Sequence, residues 1–301
     1  DTEVVAHLVH AKRETTDTLA EAVKVAVKEL EGAYGLVAIH INDPQVVVAA
    51  RKGSPLVLGM GSSENLVASD HLAFADYAEK FIFLEEGDTA EVTSSGTKLW
   101  DINDKEVKRP VVVEKTLCET IEKGEYRHFM LKEIMEQPQA VASAMRERIN
   151  FETRRVELPE FPFSAKEISE LDRVILIGCG TSLNAAHVGR HLVERYSGLP
   201  AESESASEFR YRDPFIDPRT LVVSIGQSGE TADTVAAMQM AKDKGARLLT
   251  ICNADGSQAS RIADGTLYMR AGIEIGVAST KTFVASLTIL NLLAIFLGQS
   301  R

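Results

Sequence analysis

The chain has 301 residues, 45% of them apolar, and sets 33 Lys and Arg against 44 Asp and Glu, a net charge of −11. That balance, with a pI near 5.2, argues against a general nucleic-acid or acidic-membrane binder, and no apolar run reaches the roughly 20 residues of a membrane span. The length suits two domains with their own cores, and three widely spaced cysteines, Cys118, Cys179 and Cys252, fit a reducing cytoplasm better than a disulfide framework.

Residues 15–30 have amphipathic helical spacing, with Leu19, Val23, Ala26, Val27 and Leu30 on one stripe. Thr16 or Asp17 is the expected cap and Gly32 the stop. The period then switches to two. Tyr34–Asn42 and Gln45–Arg51, joined by Asp43-Pro44, read as a hairpin. Short strands follow over Leu56–Gly59, Asn65–Ala68, Phe81–Leu84, Asp88–Thr93 and Lys98–Ile102, with a short helix near His71–Tyr77. Such close spacing predicts an α+β domain of largely antiparallel strands over residues 1–113. Residues 114–150 turn charged and helical, with Pro138 in the first turn of a second helix, and read as a helical linker. Residues 150–168 are polar, carry two prolines and read as loop.

From Leu171 strands and helices alternate. Strands are predicted over Arg173–Ile177, Glu202–Ser205, Leu221–Ile225, Arg247–Ile251 and Thr266–Met269, and helices near 183–196, 207–211, 231–244, 257–263 and 280–297. Alternation predicts an α/β fold over 151–301, a doubly wound five-stranded parallel sheet of order 2-1-3-4-5. Ligands of such sheets sit where the first and third strands diverge.

Hydroxyl-rich turns stand at that point. VVSIGQSGETADT (Val222–Thr234) reads as buried strand, tight turn and helix start, and RVILIGCGTS (Arg173–Ser182) repeats the device. A third helix start, GVASTK (Gly276–Lys281), carries Ser279 and Thr280. A helix N-terminus offers unpaired N–H groups and the positive end of its dipole, so converging turns of this kind suit a phosphate dianion. The plain alternative is ordinary Ser/Thr capping. It explains one turn well and three poorly. Dinucleotide binding is disfavoured, because Leu183 stands where the last glycine of G-x-G-x-x-G belongs. Cys179 reads as pocket wall, having no base beside it in sequence. His187 and His191 are i, i+4 but lack a third ligand, so no metal site is expected. Lys281 either offsets phosphate charge or lies on the surface. The acidic stretches Glu202–Glu208 and Lys132–Glu136 read as solvated helix or interface faces.

GCGTS, ASEFRYR (Ala206–Arg212), QSGETADT, ICN and EIGVASTK occur in the order and spacing of sugar isomerase (SIS) domains, which they resemble. YRHFMLKEIMEQP (Tyr126–Pro138), together with GAYG, GSPLVLG, ASDHLAF and FLEEGDTAEV upstream, extends the resemblance to the glutamine–fructose-6-phosphate aminotransferase family over essentially the whole chain. The resemblance implies a partial N-terminal-nucleophile-type glutaminase domain before the first SIS lobe. It implies an enzyme family that makes glucosamine 6-phosphate from fructose 6-phosphate and glutamine, as a cytoplasmic homodimer without a cofactor. By the same resemblance Thr181, Ser182, Gln227, Ser228 and Thr231 hold phosphate, Gly180 shapes the first turn, Val277 and Ser279 touch the sugar, and Asp1 binds the glutamine α-amino group. Gly226 departs from the family, which has a hydroxyl there, so one phosphate hydrogen bond is expected to be lost. The N-terminal cysteine nucleophile and the second SIS lobe are not in the sequence. The chain is accordingly expected to be an internal piece of a longer enzyme that binds sugar phosphate weakly and has no catalytic residue of its own. The competing readings are a sugar-phosphate-sensing SIS module, a related deaminase or a dimerisation domain. The glutaminase-like residues 1–113 weigh against the first two, and the convergent turns against the third.

Overall fold

The computed structural model describes residues 2–74, 77–113 and 123–301, with the backbone alone for Leu72. The chain divides into two compact units, Asp1–Glu122 and Lys123–Arg301.

In the first unit, helices α1 (Thr2–Arg13) and α2 (Leu19–Val27) cover one antiparallel sheet, and a second antiparallel sheet lies on its other face. The first sheet is ordered β1-β2-β6-β7-β8, with β1 at Tyr34–Ile39, β2 at Val47–Lys52, β6 at Thr89–Thr93, β7 at Gly96–Trp100 and β8 at Glu106–Val107. The second runs β4-β3-β5-β9, with β3 at Val57–Met60, β4 at Asn65–Ala68, β5 at Lys80–Phe83 and β9 at Val112–Val113. Strand alternation produces the layers. Val48 and Ala50 face α2 beside Val23 and Ala26, while Ala49 faces Leu58 and Ile82 of the second sheet.

Several boundaries differ from the sequence reading. Helix α1 lies where no element was predicted. The cap of α2 is Thr18, not Thr16 or Asp17: its hydroxyl accepts from Glu21 N–H at 3.1 Å while Glu21 reaches back to Thr18 N–H at 3.2 Å. Thr16 instead donates to Lys12 O at the end of α1. Gly32 adopts φ +91° four residues beyond the last capping residue, Lys28, so it turns the chain without ending the helix. The helix near His71–Tyr77 is a 3-10 turn, His71–Phe74; residues 75 and 76 lie outside the described set.

The second unit opens with α3 (Phe129–Met135) and α4 (Gln137–Met145), with Pro138 in the first turn of α4. The stretch read as loop holds a small hairpin, β10 (Ile149–Asn150) with β11 (Arg155–Val156), and helix α5 (Ala165–Ser169). Asn150 Oδ1 takes the turn N–H groups of Glu152 and Thr153, and Ser164 with Glu167 forms a capping box. The remaining elements are β12 (Arg173–Gly178), α6 (Thr181–Ser197), β13 (Ala201–Ser205), α7 (Ala206–Arg212), β14 (Thr220–Ile225), α8 (Ala232–Asp243), β15 (Arg247–Cys252), α9 (Gln258–Ile262), β16 (Gly265–Tyr268) and α10 (Lys281–Gln299). The five strands form a parallel sheet of order β13-β12-β14-β15-β16, the expected 2-1-3-4-5.

Both faces of this sheet are covered. Val174, Leu176, Leu221 and Val223 pack with α4, α6 and α10, whereas Ile175, Ile177, Val222 and Leu248 pack with α7, α8 and α9. Burial on both faces is why these strands read as continuous apolar runs. Helix α10 is long and apolar enough to cross a membrane by composition. Here Ala285, Ile289, Leu290, Leu293 and Leu297 are fully buried in the core of the second unit.

Candidate functional site

A cavity of about 160 Å³ opens at the ends of β12 and β14, where the sheet order reverses. Three helix starts meet there. Thr181 and Ser182 come from the first turn of α6, Gln227, Ser228 and Thr231 from the turn before α8, and Val277 and Ser279 from the loop before α10. The separated predicted residues are thus brought to one crevice. Gly180 does not line it. It is the N-cap of α6 with φ +56° and ψ −129°, a conformation that glycine alone adopts readily, and so turns Thr181 and Ser182 into the cavity. Asp1 lies outside the described residues.

Among the described residues, none that lines this cavity is charged. The hydroxyls of Thr181, Ser182 and Thr231 carry no protein hydrogen bond among the described residues. Ser228 Oγ accepts from Glu230 N–H at 3.2 Å, which leaves its own proton to donate. Gln227 Nε2 bonds Glu274 O at 3.3 Å, holding that amide against the third loop. Asn253, of the ICN motif, fastens both sides. Its N–H donates to Gln227 O, its Nδ2 to Gly272 O, and its Oδ1 accepts from Ala271 N–H. The site is therefore a cradle of neutral donors at the positive ends of three helix dipoles, an arrangement whose chemistry suits an anion.

Several residues differ from their expected roles. Lys281 neither reaches the cavity nor lies on the surface. It is buried, with Nζ 2.6 Å from Glu136 of the turn between α3 and α4. The Lys132–Glu136 stretch is not simply a solvated face, because Glu133 is only 2% exposed. Its carboxylate accepts from Ile275 N–H at 2.6 Å and Gly276 N–H at 3.0 Å. Gly226 cannot lend its N–H to a ligand as it stands, because that group donates to Ile251 O at 3.0 Å. Glu202 and Glu204 pair with Arg173 and Arg212. His187 Nδ1 is 2.8 Å from Ser203 Oγ, and no cluster of three metal-ligating side chains occurs among the described residues.

Sequence reasoning missed part of the wall. Thr234, Thr282, Phe283 and Ser286 line the cavity. Thr234 follows Thr231 by one turn of α8, a spacing that was legible. Glu274 was also missed. It is buried and accepts from the N–H groups of Thr280 and Thr282 and from both hydroxyls, capping α10 from six residues upstream. No local pattern announces a cap from that distance. Cys179 lines the cavity, 3.8 Å from the Thr234 hydroxyl, as expected of a wall residue. Cys252 is away from it, and burial pushes its thiol up to about 11.

The SIS domain family matches residues 167–296, the sheet, its helices and all three loops. The match spans the parallel sheet of the second unit. The whole chain is also similar to proteins named glutamine–fructose-6-phosphate aminotransferase [isomerizing]. It is 46% identical to that of Haemophilus influenzae over 99% of this chain and 49% of the relative, and 47% identical to that of Pseudomonas syringae over the same shares. The chain spans about half the length of the curated relatives it matches. Among solved structures, the C-terminal domain of glucosamine-fructose-6-phosphate aminotransferase from Francisella tularensis is 35% identical, with a TM-score of 0.56 over 60% of this chain and 50% of that one. The matched region contains the whole lining of the cavity, and the similarity to the aminotransferases runs through the first unit as well.

Proposed function

We propose that the cavity binds the phosphate of a hexose phosphate, fructose 6-phosphate or its product glucosamine 6-phosphate. On this reading the chain contributes the sugar-phosphate lobe of an enzyme that transfers the amide nitrogen of glutamine to fructose 6-phosphate. The single observation that carries it is the convergence of Thr181, Ser182, Gln227, Ser228 and Thr231 from two helix starts on one crevice, with no charged residue lining it among the described residues. The phosphoryl oxygens take the hydroxyls of Thr181, Ser182, Ser228 and Thr231 and the Gln227 amide. Val277 and Ser279, from the third helix start, meet the sugar. Neutral donors and dipoles hold a dianion here without an arginine or lysine, which favours ready release of product.

The chain-long similarity supports the rest of the reading. The first unit, with its two antiparallel sheets, serves as part of a glutaminase domain, and Asp1 takes the glutamine α-amino group. The assembly is a homodimer in the cytoplasm, with ASEFRYR near the subunit contact. The role of these residues is to bind and orient the sugar phosphate.

Titration calorimetry of the 301-residue chain tests the site. Fructose 6-phosphate and glucosamine 6-phosphate should bind and fructose should not, and Thr181→Val with Thr231→Val should abolish the heat. Equal binding of fructose, or unchanged affinity in the double variant, would remove the phosphate cradle from consideration.

A further inference from the structure

The loop that carries Val277 and Ser279 is held on the cavity by polar contacts. Val277 is fully exposed, and residues 270–280 form no helix or strand. Asn253 and Gln227 fasten its first half, and two buried carboxylates hold the part that leads to the rim. Glu274 ties the loop's far end to the start of α10. Glu133 grips its middle from outside, from α3, more than 140 residues earlier in the chain.

Glu133 is an unusual surface-to-core choice. Its position on a short helix between Lys132 and Ile134 reads as solvated, yet it is buried to 2% exposure. A buried carboxylate is costly unless its oxygens are satisfied. Here Oε1 takes two adjacent backbone N–H groups, those of Ile275 and Gly276, and Oε2 lies 3.2 Å from the second. The loop has adapted to it in turn. A Cβ on Gly276 would stand 2.5 Å from Glu133 Oε2, so the absent side chain at 276 is what lets the carboxylate close on the backbone. Charge-assisted bonds to backbone N–H are among the stronger ones a loop can make. The residue after this grip is Val277, and Ser279 follows two further on, both on the rim of the cavity.

We infer that Glu133 is a positioning residue of the sugar-phosphate site: by clamping the 275–276 backbone it sets the rim that meets the sugar, while leaving the phosphate cradle to the other two turns. The assignment rests on the reading of the cavity proposed above. It touches no substrate itself.

The test separates sugar from phosphate. Affinities of the full chain for fructose 6-phosphate and for inorganic phosphate are measured by calorimetry, alongside hydrogen exchange of the 275–280 amides. Glu133→Ala should bind fructose 6-phosphate about tenfold more weakly, the scale of one or two lost charge-assisted hydrogen bonds. Its affinity for inorganic phosphate should stay unchanged, and the 275–276 amides should exchange faster. Glu133→Gln, which keeps one acceptor oxygen, should recover part of both effects. Gly276→Ala, which pushes the carboxylate off from the loop side, should reproduce the loss and serves if Glu133→Ala does not fold. Equal weakening of both ligands in the folded variants, or unchanged exchange at 275–276, would overturn the role. If the unaltered chain binds neither ligand, the phosphate reading fails, and the exchange data alone decide whether Glu133 holds the loop.

Discussion

Gly226 shows how far one side chain reads through to binding. Its N–H is committed to Ile251 O, and a Cβ built there would meet nothing nearer than Gly229 N at 3.9 Å. The site has room for the hydroxyl it lacks. Gly226→Ser should therefore tighten fructose 6-phosphate binding by about 0.5–1.5 kcal/mol, roughly 2- to 10-fold, as one more neutral donor faces the phosphoryl group. Calorimetry of the single variant decides, and a weaker complex would mean that the turn does not face phosphate. A second single-residue effect is set by charge. The Arg148 guanidinium is fully buried and bonds Glu160 at 2.8 Å, Tyr268 O and Ala144 O, and Arg270 meets the same carboxylate at 3.0 Å. Burial alone would raise the Glu160 carboxyl, but the Arg148 hydrogen bond and the two positive charges outweigh it and hold it below its ordinary 4.5. The unfolded chain then binds a proton at higher pH than the folded one. The stabilisation is complete above the ordinary carboxyl range and is lost as pH falls through the depressed folded value. Glu160→Gln should destabilise the second unit at pH 7 and flatten its loss of stability below pH 4.5, read from denaturant midpoints against pH.

At the level of elements, the sheet was legible and its supports less so. Strands β12, β14 and β15 are buried on both faces, so their apolar runs announced them, and with alternating helices they fixed the order. The cradle was legible because glycine and hydroxyl residues recur at each strand-to-helix turn. Glu133 and Glu274 were not, because a carboxylate that ends up buried looks in sequence like one that stays wet; only its partner N–H groups, outside the local pattern, make the difference. The hairpin at 149–156 and helix α5 were hidden for another reason. Their polar residues work through side-chain-to-backbone bonds, not periodicity, although the Ser164-x-x-Glu167 box was there to be read. Helix spacing also escapes periodicity. Helices α6 and α10 deliver two sides of the cavity, and they close up where a Cβ on Gly298 would collide with the backbone carbonyl of Tyr196. A carbonyl cannot rotate aside as a side-chain tip does. Gly298→Ala should force the two helices apart at a cost of about 1–3 kcal/mol, measured by chemical denaturation, and should leave the cradle residues in place at the far end of both helices. A stability equal to that of the parent would show that the helices slide freely there.

For the whole molecule, the unit that bears the cavity begins well before the residues that line it. The sequence suggests a domain over 151–301 preceded by a linker, whereas the compact unit starts at Lys123. The difference has physical content. Every residue lining the cavity lies between 179 and 286, but the segment before 151 supplies Ala140 and Ala144 to the core around α10, the buried Arg148, and the two carboxylates that hold the loop and Lys281. Starting the chain at 151 would strip Lys281, 5% exposed, of its only ion-pair partner among the described residues. A buried ammonium left without its carboxylate costs on the order of 3–5 kcal/mol, a large share of the 5–15 kcal/mol by which a domain is usually stable. The lost packing of α4 adds to it. Residues 123–301 expressed alone should unfold cooperatively and bind fructose 6-phosphate with the affinity of the full chain. Residues 151–301 should melt far lower or fail to fold, and at low temperature should bind inorganic phosphate better than hexose phosphate, because the Glu133 clamp is gone. Denaturant melts and calorimetry on the two truncations give the answer. If both are equally stable and equally selective, helices α3 and α4 are a tether after all, and the boundary belongs at 151.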